Sequence, residues 1–137
     1  MPETSKIICA VDFSAASMKT FEYARDLARI KNSYLYILHV FHYDGLAATV
    51  YEDDTYYKEA EQKLKALCLE HDPLHRYIQP LLEAGEVSPT IVRCAEEMQP
   101  DFMVIGSHGH NIIQELLGST AAYVMEHSKV PLLIIKH

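Results

Sequence analysis

The chain lacks several features that would have set its class at once. No stretch approaches the roughly 18 consecutive apolar residues of a membrane-spanning helix, so no integral helical membrane protein is expected. Its three cysteines, Cys9, Cys68 and Cys94, are odd in number and have no CxxC spacing. Neither a disulfide framework nor a thiol redox motif is therefore expected, and each cysteine falls in a segment that reads as strand or helix, which predicts a buried reduced thiol. Basic residues are too few for nonspecific binding to nucleic acid: 12 Lys and Arg stand against 19 Asp and Glu, a formal net charge of -7. The acids are dispersed apart from Glu52-Asp53-Asp54, so no polyacidic tail is present. The opening MPETSKIICAVDFS has no charged region, long apolar core or cleavage site of a secretory signal, which predicts a cytoplasmic protein. No internal repeat or linker divides the 137 residues, so one domain over 1–137 is expected.

What is present is a regular alternation of two patterns. KIICAVDF, residues 6–13, is a continuous apolar run of strand length, as a strand covered on both faces requires. The next segment offers Ser14 as a helix N-cap, places Phe21, Ala24, Leu27, Ala28 and Ile30 near helical spacing, and stops at Asn32. SYLYILHVFHY, 33–43, predicts a second strand, and after a Gly-containing acidic loop the spacing of Ala60, Leu64, Leu67 and Cys68 predicts a second helix. A third strand around Arg76 to Glu83 contains Pro80, which cannot donate to a sheet ladder and so predicts an edge or distorted position. A helix follows with Ser88 as N-cap, Pro89 in its first turn and Pro100 at its end. A strand at 101–107, a helix at 119–129 and a last strand at 130–137 complete the series. Strands alternating with helices predict an α/β fold, a parallel sheet with helices on both faces.

Such sheets bind ligands beyond the carboxyl ends of their strands, where the winding direction reverses. Two segments occupy that position, Val11-Asp12-Phe13-Ser14 and Ile105-Gly106-Ser107-His108-Gly109, and they line one crevice if the first and fourth strands are neighbours. Gly106 and Gly109 bracket a turn directly after a buried strand, where missing side chains let backbone N–H groups approach an anion. Gly118-Ser119-Thr120 then opens the last helix, where unpaired N–H groups, hydroxyls and the positive end of the dipole favour phosphate. The competing reading is ordinary turn glycines, with Ser119 or Thr120 as a plain N-cap.

These residues carry a resemblance. AVDFS closing the first strand, HV in the second, EAGEVSPTIVRCAEE, and DFMVIGSHG followed by LLGSTAAYVMEHSKVPLLIIK occur in the order found in universal stress proteins, and the sequence resembles that family over essentially its whole length. The resemblance implies a single-domain, open five-stranded parallel sheet of order 3-2-1-4-5, of the adenine nucleotide alpha hydrolase-like, Rossmann-like type. It also implies a homodimer through the last strand, Val130 to Lys136. For members that bind ATP, it implies that the counterparts of Asp12 and Val40 hold adenine, that those of Gly106, Gly109, Gly118 and Ser119 hold ribose and phosphates, and that Thr120 adds a backbone N–H. The expected cofactor is ATP or another adenine nucleotide, with magnesium as its companion ion. Two departures stand out: only eight residues, His110 to Leu117, separate the second and third glycines where the ATP-binding pattern usually has nine, and His110 replaces a common Arg or Lys.

Other chemistry was weighed against these residues. His39 and His42, and His108 and His110, invite a metal, but His39 and His42 on a strand point to opposite faces. His108 is instead expected to order the loop or touch ligand. Asp12 is a candidate magnesium ligand or general base, with an Asx-type bond capping the next helix as the alternative. No Walker-type lysine follows the glycines and no second carboxylate is evident, so rapid phosphoryl transfer is not expected. Three functions remain open at this point: an adenine-nucleotide-binding stress regulator acting through its dimer or partner equilibrium, a scaffold of the same fold that binds no nucleotide, and a slow ATPase.

Overall fold

Continuous apolar runs separated by amphipathic segments leave the strands little choice but the middle of a layered structure. In the computed structural model, which describes residues 5–42, 55–108 and 117–136, the elements follow in the order β1 (Lys6–Ala10), α1 (Ala15–Lys31), β2 (Tyr34–Phe41), α2 (Thr55–His71), β3 (Ile78–Ala84), α3 (Val87–Met98), β4 (Phe102–Gly106), α4 (Ser119–His127) and β5 (Leu132–Ile135). The five strands form one sheet in the order β3-β2-β1-β4-β5, and all four pairings are parallel. β1 lies in the middle, pairing Cys9 with Ile37 of β2 on one side and with Val104 of β4 on the other.

Alternation along the strands divides the core into two layers. Ile7, Cys9, Leu35, Ile37 and Val104 pack with Phe21, Ala24 and Ala28 of α1 and with Leu64 and Cys68 of α2. Their sequence neighbours Ile8, Leu38, Val40, Met103 and Ile105 face the other way, against Ile91, Cys94 and Ala95 of α3 and Ala121 and Val124 of α4. A strand read as uniformly apolar is therefore one whose odd and even residues serve different helices. All three cysteines are buried and unpaired, and burial pushes the Cys9 thiol up to about 12 and those of Cys68 and Cys94 up to about 11.

Several local expectations differ from the structure. β1 ends at Ala10, three residues short of the apolar run, because the chain turns sharply at Asp12 and Phe13. Ile30 is exposed: it lies beyond the stripe that Phe21, Ala24 and Ala28 present to the sheet. The cap of α3 is Glu86, not Ser88, and it makes no side-chain capping bond; Gly85 enters the helix at φ +145, with Thr90 Oγ1 only 2.8 Å from where a Cβ would stand. That conformation and that contact both select glycine. Pro80 sits on β3 at the sheet edge, where its missing N–H breaks no second ladder. β5 is confined to Leu132–Ile135 and occupies the opposite edge.

Candidate functional site

The sheet's first crossovers lie on one side of β1 and its later strands on the other, so β1 and β4 diverge at their carboxyl ends. A crevice of about 600 Å³ opens there, within the range usual for small-molecule sites. Leu38, Val40, Ile91, Ile105 and Ala121 give it an apolar floor. Val11 and Asp12 form one wall, and Gly106, Ser107, His108 and Gly118 through Thr120 form the other. Eight of the nine residues singled out from sequence thus meet in one cavity: Val11, Asp12, Val40, Gly106, His108, Gly118, Ser119 and Thr120. Gly109 falls outside the described residues, as do His110 and the acidic loop at 43–54.

The β1 wall is tied by short-range hydrogen bonds. Asp12 Oδ1 accepts the Ser14 N–H at 2.9 Å, the Asx turn of the ordinary reading. The Asp12 N–H donates to Ser17 Oγ at 3.2 Å. Ser14 caps α1 by accepting the Ser17 N–H at 3.1 Å, and Ser17 Oγ returns a bond to the Ser14 carbonyl. This knot holds Phe13 at φ 64, a left-handed conformation that a bulky residue adopts at a cost of about 1–2 kcal/mol. The Phe13 ring is braced at 4.5 Å by the ring of His39. His39 Nδ1 in turn donates to the Val11 carbonyl at 2.9 Å, which fixes the proton on that nitrogen because a carbonyl only accepts.

The opposite wall is built around a close approach. Gly118 is the N-cap of α4, so neither Ser119 nor Thr120 plays that part. The Gly118 N–H donates to the Ser107 carbonyl at 2.7 Å, and Ser107 N–H donates to Ile135 of β5 at 2.8 Å. A Cβ on Gly118 would stand 2.9 Å from that same carbonyl oxygen and 3.2 Å from the His108 Cα. The turn after β4 and the start of α4 are therefore in direct contact, whatever path residues 109–116 take between them. The first intrahelical bond of α4 comes from Ala122 to the Gly118 carbonyl. The N–H groups of Ser119, Thr120 and Ala121 precede it and have no partner within the helix. Glycine as cap supplies no side chain to take their place.

Sequence reasoning passed over Ser17, Ser107 and Val87, all of which line the crevice. Ser17 was legible as an i+3 partner of the Ser14 cap, and Ser107 contributes through its backbone N–H and carbonyl. His39 and His42 also line the crevice, and their Nδ1 atoms go to different carbonyls, Val11 at 2.9 Å and Gly85 at 3.3 Å. Among the described residues no group of three His, Cys, Asp or Glu side chains is placed to hold a metal ion.

Comparison with known proteins fits this geometry. The profile of the Universal stress protein family matches residues 3–136. Universal stress protein A homolog 1 of Coxiella burnetii is 28% identical over 127 residues, 87% of each chain. The solved structure of MJ0577, named a universal stress protein of Methanocaldococcus jannaschii, superposes with a TM-score of 0.84 at 25% identity, covering 98% of this chain and 96% of that one. At 24% identity, an Archaeoglobus fulgidus universal stress protein in complex with dAMP superposes with a TM-score of 0.74, covering 96% of this chain and 98% of that one. A universal stress protein in complex with cAMP does so at 22% and 0.73, covering 96% of each. These two likenesses speak for the fold alone. With its parallel 3-2-1-4-5 sheet, the chain belongs to the universal stress protein family.

Proposed function

We propose that this chain is a cytoplasmic stress-response regulator that binds an adenine nucleotide in the crevice between β1 and β4. The observation that carries the reading is the meeting of an apolar floor with unpartnered helix N–H groups in one cavity of about 600 Å³. Val40 and the neighbouring apolar side chains would cover a base, and the start of α4 would take phosphate. Proteins of the same fold solved with cAMP and dAMP support the choice of adenine. Asp12 is the one carboxylate lining the crevice among the described residues, and its Oδ1 already serves the Ser14 N–H, so magnesium would arrive with the nucleotide and keep most of its own waters.

In this reading the ligand regulates by favouring one state of an assembly over another. β5 supplies the surface: it is an apolar edge strand with Leu133 exposed, and a second copy pairing along Val130 to Lys136 would cover it. Native mass spectrometry of the untreated protein is the decisive experiment. A retained adenine nucleotide on a dimer is the expected result; a bare monomer that also shows no calorimetric response to any adenine compound would end the proposal.

The closure of Asp12 onto Ser14 favours one second reading, a scaffold that uses the β5 edge and leaves the crevice empty. Partner binding unaffected by Gly118→Val and abolished by Leu133→Glu would favour it. A slow ATPase would need Asp12 as its base, and phosphate release at full rate from Asp12→Asn would rule that role out.

A further inference from the structure

The parts of the chain that line the crevice share a property that emerges only when the fold brings them together. Residues 7–18, 32–57, 77–92 and 105–124 contain no lysine or arginine, and they supply every described lining residue. The nearest cation along α3, Arg93, is bound to Glu83 at 2.8 Å and to Glu97 at 2.6 Å. Lys63 reaches the crevice region only from the α2 side of the sheet, 5.9 Å from the Phe13 ring centroid. Among the described residues the lining offers imidazoles, His39, His42 and His108, and one carboxylate, Asp12. A polyphosphate placed here meets no permanent positive charge, in a chain whose formal net charge is -7.

The backbone donors set a second limit. The N–H groups of Asp12, Ser14, Ser107 and Gly118 are all given to partners within the protein. Among the described residues, Ser119, Thr120 and Ala121 keep three N–H groups on one helical turn without a partner inside the helix, with the Ser119 and Thr120 hydroxyls on the same turn. That is a donor set for one phosphate group.

Resting on the nucleotide reading above, we infer that the crevice selects adenine compounds carrying a single phosphate and discriminates against the triphosphate. Adenosine lacks the anion that the α4 N–H groups require. ATP brings charge that no lysine or arginine of the described lining neutralises, and magnesium narrows that difference by neutralising part of it.

Calorimetric titration of the full chain with adenosine, AMP and ATP, in magnesium-free buffer and again with magnesium, tests this. The expected order without magnesium is AMP tightest, by about tenfold or more over ATP and over adenosine. His42→Arg, a change at an exposed position on the crevice, should raise ATP affinity by about tenfold and move AMP affinity much less. ATP binding more tightly than AMP in both buffers would overturn the inference while leaving the nucleotide reading intact. An unchanged ATP-to-AMP ratio in His42→Arg would overturn it also. No binding by any of the three compounds would remove the nucleotide reading itself.

Discussion

On the β1 wall of the crevice, the Asp12 N–H, the Asp12 carboxylate and the Ser14 and Ser17 hydroxyls are engaged with one another. On the α4 wall, the cap is a glycine without a side chain and three N–H groups have no helical partner. Both walls lie at the carboxyl end of the same sheet, so position alone does not decide which N–H groups stay open. What separates them is whether the sequence supplies its own acceptors. Serine and aspartate close the first turn; Gly118 leaves the second open. The first wall spends its polar groups on itself, and the second keeps three N–H groups without a partner inside the helix.

The sharpest way to break this contrast is Gly118→Val. The added Cβ would meet the Ser107 carbonyl at 2.9 Å, backbone that cannot step aside, so the two halves of the open wall must separate. We expect a stability loss of about 1–3 kcal/mol and AMP affinity weakened by about tenfold or more. Thermal unfolding and calorimetry on the same sample read both, and full affinity in a destabilised variant would show that the contact is structural only.

On the closed wall the effect should be confined to stability. Asp12→Ala removes the acceptor of the Ser14 N–H and should cost about 1 kcal/mol, whereas Asp12→Asn keeps an oxygen in place and should cost a few tenths. Ser14→Ala should lose about 1 kcal/mol with AMP affinity within about twofold of the parent. Chemical denaturation separates these variants; equal losses for alanine and asparagine at Asp12 would mean that the charge, not the Asx turn, holds the wall.

The same device recurs away from the crevice, where Asp72 Oδ2 accepts the N–H groups of Tyr77 and Ile78 at 2.8 and 2.9 Å. Burial works against its charge, but the N–H groups of Ile78, Tyr77 and Arg76, with His75 nearby, outweigh burial and hold the carboxyl below the ordinary carboxylate range. A carboxyl depressed in the folded state contributes stability above its unfolded-state value and loses it as pH falls through the folded one. Stability should therefore drop on acidification below about pH 4, and Asp72→Asn should flatten that limb. An unchanged acid profile in the variant would place the sensitivity elsewhere. The smallest effect is expected at Arg93→Ala, whose partners Glu83 and Glu97 are at the surface: about 1 kcal/mol or less, with no change in ligand affinity.

Much of this was readable from the chain. The β-α alternation, the Ser14 cap, the stop at Asn32 and the edge position of the proline-bearing β3 each follow from one residue's chemistry acting over a few neighbours. The pairing of glycine turn with helix start was readable as a pattern, but its geometry was not. The contact of Gly118 with Ser107 depends on where α4 returns after packing Ala121 and Val124 on the sheet. His39 reaching the Val11 carbonyl, 28 residues away in sequence, is likewise a product of strand register. Ser88 failed as a cap because Gly85, at a φ few other residues adopt, starts α3 one residue after Glu86.

The 2.7 Å bond from Gly118 to Ser107 also has a use in protein engineering. It pins the two ends of the intervening chain at neighbouring points, so the cost of changing that chain's length is the slow logarithmic cost of closing a loop, about 0.6 kcal/mol per doubling. By the same arithmetic, a foreign peptide grafted between Ser107 and Gly118 would have both its ends held by a contact it does not have to make.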